Sequence, residues 1–315
     1  MANHPKILDN VPKMLLEYES WTHPYKVTVR PSALPFCPVQ YLFAALDPIN
    51  VSAGDSFIER IFAAIGETSH DVIQTYLGRA GVLYGCWKCK KCYWESGYKL
   101  GTPYCGDAKL EWTRGRDKEG QEIGPEAPCN NGYATRYVEI TVKDPETGII
   151  GHCDGLILIA GHLYLLEIKT KATSAIVRGL KEPDHTHICQ ATMYAELATP
   201  KEWGLEQEVE GIAFCYVPRD WPNKMRFIFH DRDATSLQNT RRDVPKAAEI
   251  LENGNIEDAL AVCPDEKYAR KVKYCEYAGQ CFRPDRTEFL KKLWKKAKAK
   301  ERDGSDRQDS VQESD

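Results

Sequence analysis

No run of apolar residues in this chain approaches the roughly 18 that a membrane span requires, and the opening Met1-Ala2-Asn3-His4-Pro5-Lys6 lacks the apolar stretch of a secretory signal. Both absences lead to the expectation of a soluble, cytoplasmic protein (host cytoplasm if the chain is viral) with no membrane partner. Excess positive charge is missing too: 42 Lys and Arg stand against 46 Asp and Glu, a formal net charge of −4. The bulk signature of a nucleic-acid binder is therefore absent, although local basic clusters supply phosphate contacts whatever the total. There is no internal repeat and no G-x-x-x-x-G-K-[ST] phosphate loop. The chain is thus no P-loop motor, and any unwinding of nucleic acid must come from a partner.

Cysteine is the residue present in excess. Twelve in 315 residues, with no export signal, argue against a disulfide framework, because a reducing cytosol keeps thiols free. Clustered cysteines in that setting point to metal. Hydrophobic and charged contents of 42% and 28% suit a globular chain with a full core, as one large domain or two small ones.

Helical patterning marks residues 12–20, 55–79, 185–198, 243–253 and 286–299, the last carrying six lysines from Lys291 to Lys300. Alternation predicts strands at Tyr137–Val142, Ile149–Ile159 and Leu163–Thr170, the last two joined by an Ala160-Gly161 turn, and at Gly211–Val217 and Met225–His230. The order predicts an α/β fold, a mixed central sheet flanked by helices. Residues 1–80 form an N-terminal helical part, 81–135 a cysteine-rich insertion and 136–300 the core with a cysteine-bearing C-terminal segment. The acidic, polar stretch 301–315 is expected to be disordered.

Asp154, in Gly151-His152-Cys153-Asp154-Gly155, and the triplet Glu167-Ile168-Lys169 carry the chemistry. Adjacent strands would bring two carboxylates and an ammonium to one point, as a divalent cation activating water needs, with the Ile168 carbonyl as a further oxygen ligand. The bland alternative is an exposed Asp at a strand end and a surface Glu/Lys pair. Upstream stands Gly66-Glu67-Thr68-Ser69-His70, and downstream Gln190 and Tyr194 share a helix face.

These four motifs, in this order, resemble the RecB-type branch of the PD-(D/E)XK nuclease superfamily, whose signature is G-x-x-x-H, G-x-x-D-G, E-x-K and Q-x-x-x-Y. The likeness implies a restriction-endonuclease-like sheet. It also implies His70, Asp154, Glu167 and the Ile168 carbonyl as ligands of Mg²⁺ or Mn²⁺, Lys169 as catalytic lysine, and Gln190 and Tyr194 as residues fixing the substrate strand or the lysine. His152, His162, His185 and His187 match nothing specific. Branch members with an iron–sulfur cluster, among them the AddB nuclease domain and the CRISPR-adaptation exonucleases, place one cysteine before the motifs and three after. Cys37, Cys263, Cys275 and Cys281 are similar in arrangement and imply a 4Fe–4S cluster. Cys275 and Cys281 keep the family gap; the longer Cys263–Cys275 spacing departs from it.

Separately, Cys86-x-x-Cys89-x-x-Cys92 with Cys105 and Cys129 fits a tetrahedral zinc site with one cysteine surplus, organising an insertion too poor in apolar residues to fold alone. Such an insertion is a scaffold or, through Trp87, Lys88, Lys90 and Lys91, a DNA-contacting finger. Cys153, Cys189 and Cys215 sit in apolar elements and read as buried thiols. The function expected is a metal-dependent DNA exonuclease of recombination, repair or phage DNA processing, with DNA and a helicase or recombination/annealing protein as partners. The alternatives are an endonuclease, a CRISPR spacer-processing nuclease, or a non-catalytic nucleic-acid-binding or assembly subunit.

Overall fold

The computed structural model describes residues 29, 31–34, 37–46, 57–91, 93–103, 115–116, 122–123, 135–177, 180–220, 222–261 and 277–309. The helix expected over 12–20, and Cys92, Cys105, Cys129, Cys263 and Cys275, lie outside them.

Helices α1 (Pro38–Leu46) and α2 (Phe57–Arg79) come first. Strands β1 (Leu83–Cys89), β2 (Lys99–Leu100), β3 (Gly115–Arg116), β4 (Glu122–Ile123) and β5 (Thr135–Val138) follow. Next are β6 (Ile140–Lys143), β7 (Ile150–Cys153), β8 (Gly155–Ile159) and β9 (His162–Lys171). Helices α3 (Thr173–Val177) and α4 (His185–Leu197) lead to β10 (Val209–Pro218) and β11 (Arg226–Asp231). The chain ends in α5 (Thr235–Asn253), α6 (Ile256–Ala261), α7 (Ala278–Cys281) and α8 (Arg286–Asp309).

The central sheet runs β11–β10–β9–β8–β1–β2, with β5 also pairing β1. Among the described residues only β9 and β10 are parallel in this sheet; its other pairs are antiparallel. Parallel neighbours need a crossover, and α3 and α4 supply it. This is the expected mixed sheet flanked by helices, mostly antiparallel.

Alternation along β9 decides what each face holds. Leu166 and Ile168 enter a core with Leu83, Trp87, Ile157 and Ala213, closed by Ile73 and Leu77 of α2. Leu165, Glu167 and Lys169 take the other face, where α4 lies. With both faces covered, β10 reads as an almost unbroken apolar run. Cys153, Cys189 and Cys215 are buried, as expected. No helix among the described residues is long and apolar enough to cross a membrane.

The chain forms two compact units, one of residues 30–32 and 58–237, the other of 1–29, 33–57 and 238–315. The domain plan shifts accordingly. Residues 83–89 are not insertion: Leu83 and Trp87 are fully buried in the main core, so β1 belongs to the sheet. The N-terminal part divides near residue 57. In the second unit Val39 and Phe43 of α1 pack with Ile256, Tyr277 and Leu290, and Phe43 stacks on Tyr277 at 5.7 Å.

Two helices outrun their sequence signals. α5 starts well before 243 because Asp233 Oδ1 accepts the Thr235 N–H at 2.9 Å and anchors the first turn. α8 continues to Asp309, ten residues past the end of its periodic pattern at 299. Extending a formed helix fixes one residue per hydrogen bond, far easier than nucleating one, and here it carries past Gly304 despite that residue's low helix propensity.

Two glycines of α2 separate propensity from packing. A Cβ at Gly78 would lie 2.3 Å from the Trp87 ring, whereas one at Gly66 meets only Thr170 Oγ1 at 3.8 Å. Gly66→Ala should stabilise by about 0.5–1 kcal/mol, the helix-propensity gain. Gly78→Ala should destabilise by about 1–3 kcal/mol despite that gain. Urea denaturation of both variants reads the two signs.

Candidate metal centre and its cleft

Two strands expected to be continuous are each broken once, and both breaks fall on a carboxylate. Tyr137–Val142 divides at Glu139, and Ile149–Ile159 at Asp154. The β6–β7 ladder ends on the pair Ile140↔Cys153. One step further in that register sets Glu139 against Asp154, where both chains leave this ladder for the central sheet: β5 to join β1, β8 to lie between β9 and β1. Gly155, at φ +155°, carries the chain past Leu83, whose Cδ1 would lie 2.7 Å from a Cβ there.

Asp154 is 6% exposed and both its oxygens are engaged. Oδ1 lies 3.1 Å from His70 Nδ1, and Oδ2 accepts the Ile168 N–H at 2.6 Å. Gln74, one turn after His70 on α2, donates Nε2 to the Asp154 carbonyl at 2.9 Å and fixes helix to strand break. His70, Glu139 and Asp154 each offer a ligand atom, all within 4.8 Å of one another. One imidazole nitrogen and two carboxylate oxygens suit a hard divalent cation such as Mg²⁺ or Mn²⁺.

Glu139 was not among the expected ligands. Its signal in the sequence is a slip in the alternation: Thr135 and Tyr137 are buried, then Ile140 and Val142, so the phase changes at Glu139. Glu167, which was expected, stands outside the close trio. It is 2% exposed and accepts Lys169 Nζ at 2.6 Å. Ile168 meets the site through its N–H, which Asp154 Oδ2 accepts.

Lys169 is held a second time, by Gln190 Oε1 at 3.1 Å, and Gln190 Nε2 donates to the Tyr194 hydroxyl at 3.1 Å. The Tyr194 ring passes over Gly151, where a Cβ would lie 2.3 Å from Cε1. All four sequence motifs are therefore joined by contact or close approach.

Burial pushes the Glu167 carboxyl up to about 7, Asp154 adds to this, and Lys169 pulls the other way. Burial of the His70 ring works against its proton, but the hydrogen bond to Asp154 and the surrounding carboxylates outweigh it, and His70 titrates above its ordinary range. Glu139 is raised by desolvation and by Asp154. On the far side of Lys169, His187 Nδ1 lies 3.0 Å from the Tyr216 hydroxyl, and burial with the Lys169 charge lowers its pKa to about 4.

A cleft of about 790 Å³ opens beside the trio, lined by His70, Gln74, Glu139 and His152 and by Lys88 and Arg136. His152, expected to be unspecific, faces it 3.1 Å from Thr141 Oγ1. His162 lies apart, paired with Glu210.

Of the cysteine sets, Cys37 and Cys281 pack against the same cluster around Phe43 and Tyr277. Cys86 and Cys89, three apart on β1, point to opposite sides of it. Burial and Glu95 push the Cys86 thiol up from its ordinary range. Cys89 instead opens a turn in which the Lys91 N–H reaches its Sγ at 3.4 Å.

Without added cation, Glu167 binds its proton more tightly folded (about 7) than unfolded (4.5). Its stabilising effect is complete below the unfolded value and lost as pH rises through about 7. His70, also raised, acts in the same sense. The urea midpoint should fall between about pH 5 and pH 8, with Glu167 responsible for at most about 3 kcal/mol. Glu167→Gln should make the fall clearly shallower, leaving the share of His70 and Glu139; a midpoint that climbs over this window would contradict the assignment.

No protein-family model and no curated protein matches the chain. Among solved structures it is similar to one described as "Crystal structure of SSO0001", at 15% identity over 88% of this chain and 96% of that one. The TM-score is 0.36, at which the likeness carries no argument about fold or activity.

Proposed function

We propose that this chain is a metal-dependent deoxyribonuclease with a restriction-endonuclease-like core, acting as an exonuclease in recombination, repair or phage DNA processing. The observation that carries the reading is the Lys169 ammonium, clamped between Glu167 and Gln190 beside the His70–Glu139–Asp154 trio. A sheet built only for stability has little use for two buried carboxylates, Asp154 and Glu167, that act on each other electrostatically.

His70, Glu139 and Asp154 would hold Mg²⁺ or Mn²⁺, with Glu167 joining as it gives up its proton. When bound, the cation supplies Lewis acidity toward a phosphodiester oxygen and toward water. Lys169, fixed at two points, presents a positive charge where charge develops on phosphorus and needs no reorganisation to do so. Gln190 and Tyr194 hold the lysine; Gln74 and Ile168 hold Asp154. Neutral His187 adds no competing charge beside Lys169.

Cys37, Cys263, Cys275 and Cys281 are assigned to a 4Fe–4S cluster, supported by the common packing of Cys37 and Cys281. Four of Cys86, Cys89, Cys92, Cys105 and Cys129 are assigned to zinc, supported by the N–H to sulfur contact at Cys89.

The decisive experiment is digestion of end-labelled linear DNA and of circular DNA in Mg²⁺ or Mn²⁺. Linear DNA should be consumed and circular DNA spared. Glu167→Ala and Lys169→Ala should each lose cleavage by a factor of about a hundred or more while keeping a cooperative melt. Glu139→Gln should weaken Mn²⁺ binding at least about tenfold by calorimetry. Full cleavage by both Ala variants would sink the enzyme reading and leave a non-catalytic DNA-binding subunit. Anaerobically purified protein should be brown; a colourless protein with zinc alone would remove the cluster.

A further inference from the structure

Lys88 and Arg136 are direct partners in the β1–β5 register. Opposed residues in an antiparallel pair share a face with Cβ atoms about 4.5–5.5 Å apart, and like charges placed so repel by a few tenths to about 1 kcal/mol. Lys88 faces an acid on its other side, through the antiparallel bridge to Glu95, so the like-charge contact is the one with Arg136. Here each cation is balanced from outside the pair: Lys88 Nζ lies 2.8 Å from Glu95 Oε1, and Arg136 Nε 3.6 Å from Asp71 Oδ1. All four side chains are between 40% and 68% exposed, so both ion pairs are weak and exchangeable.

Both cations line the cleft that also holds His70 and Glu139. Arg136 and Glu139 are three positions apart, about 10 Å of extended chain. One nucleic-acid strand, rising about 3.4 Å per residue, covers that distance within a few nucleotides. Glu67 and Asp71 of α2 line the cleft too and disfavour a polyanion running along the helix. The β1–β5 side is left as the one that accepts phosphate.

The geometry points to Lys88 and Arg136 as a phosphate clamp that holds the nucleic-acid backbone beside the trio, exchanging Glu95 and Asp71 for phosphate oxygens as the strand enters. This rests on the nuclease reading and deepens it. The arginine fork suits two oxygens of one phosphate, and the lysine acts as a point charge on a neighbouring one. Neither residue is a metal ligand, so binding of DNA and binding of the cation are separable.

Fluorescence anisotropy with a labelled DNA oligonucleotide, with Ca²⁺ in place of Mg²⁺ and across a salt series, tests the clamp. The double variant Lys88→Gln/Arg136→Gln should bind about tenfold or more weakly, and its slope of log affinity against log salt should be shallower by about 1.5. Glu95→Gln, which frees Lys88, should tighten binding. Mn²⁺ affinity should be unchanged in both variants. An unaltered salt slope in the double variant overturns the clamp while leaving the nuclease standing. Joint loss of Mn²⁺ and DNA binding also overturns it, since the residues would then act on the centre. A wild-type protein that binds Mn²⁺ but no DNA at any salt removes both readings.

Discussion

Glu167 is a carboxylate inside a sheet, and much of the surrounding structure answers to that placement. Burying such a group is costly unless it is paired and its hydrogen-bonding capacity met. Lys169, two residues along the same face, provides the counter-charge and must itself be held in place. Gln190 does this from α4, Tyr194 orients Gln190, and Gly151 makes the space that Tyr194 fills. One buried charge thus ties β9, α4 and β7 together through polar contacts and one close packing contact. In a medium of low polarity these contacts reinforce one another, and losing a member exposes the others.

The second organising element is the exchange of ladder partners at Glu139 and Asp154. A chain that stops pairing with one strand and starts with another leaves backbone groups to be satisfied at the junction. Gln74 takes the Asp154 carbonyl, and the Asp154 carboxylate takes the Ile168 N–H. Side chains at such a junction are freed from the strict in-and-out alternation of a strand. This is how two carboxylates from different strands approach a histidine from a helix. The same junction opens the cleft, because the β6–β7 hairpin forms a sheet of its own.

Strongly periodic elements were legible in the sequence: α2, β8 to β11 and α4 fall within a few residues of their patterns. So was the grouping of His70, Asp154, Glu167, Lys169, Gln190 and Tyr194, since the ordered motifs named them. Glu139 was not, because a lone acid between Val138 and Ile140 looks like the solvent side of a strand until the phase slip is noticed. Arg136 was hidden for a related reason: its meaning lies in facing Lys88, and pairing between segments some fifty residues apart is not written in local periodicity. β1 was misplaced in the insertion because its Gly, Cys and Lys dilute an apolar face carried by Leu83 and Trp87. The end of α8 was missed because composition reports burial, and a solvated helix extension buries little.

The interlock of Gly151 with Tyr194 changes how persistence of the motifs is to be interpreted. A side chain at 151 and a tyrosine at 194 exclude each other, so these positions are coupled by shape whether or not any bond is cut. Glutamine at 190 is kept by Lys169, and the pair would survive as a packing device in a descendant that had lost its cation. Relatives that retain Gly151, Gln190 and Tyr194 therefore share a scaffold. Those that also retain Glu139, which serves no packing need and stands exposed at the rim, are the ones expected to share the chemistry.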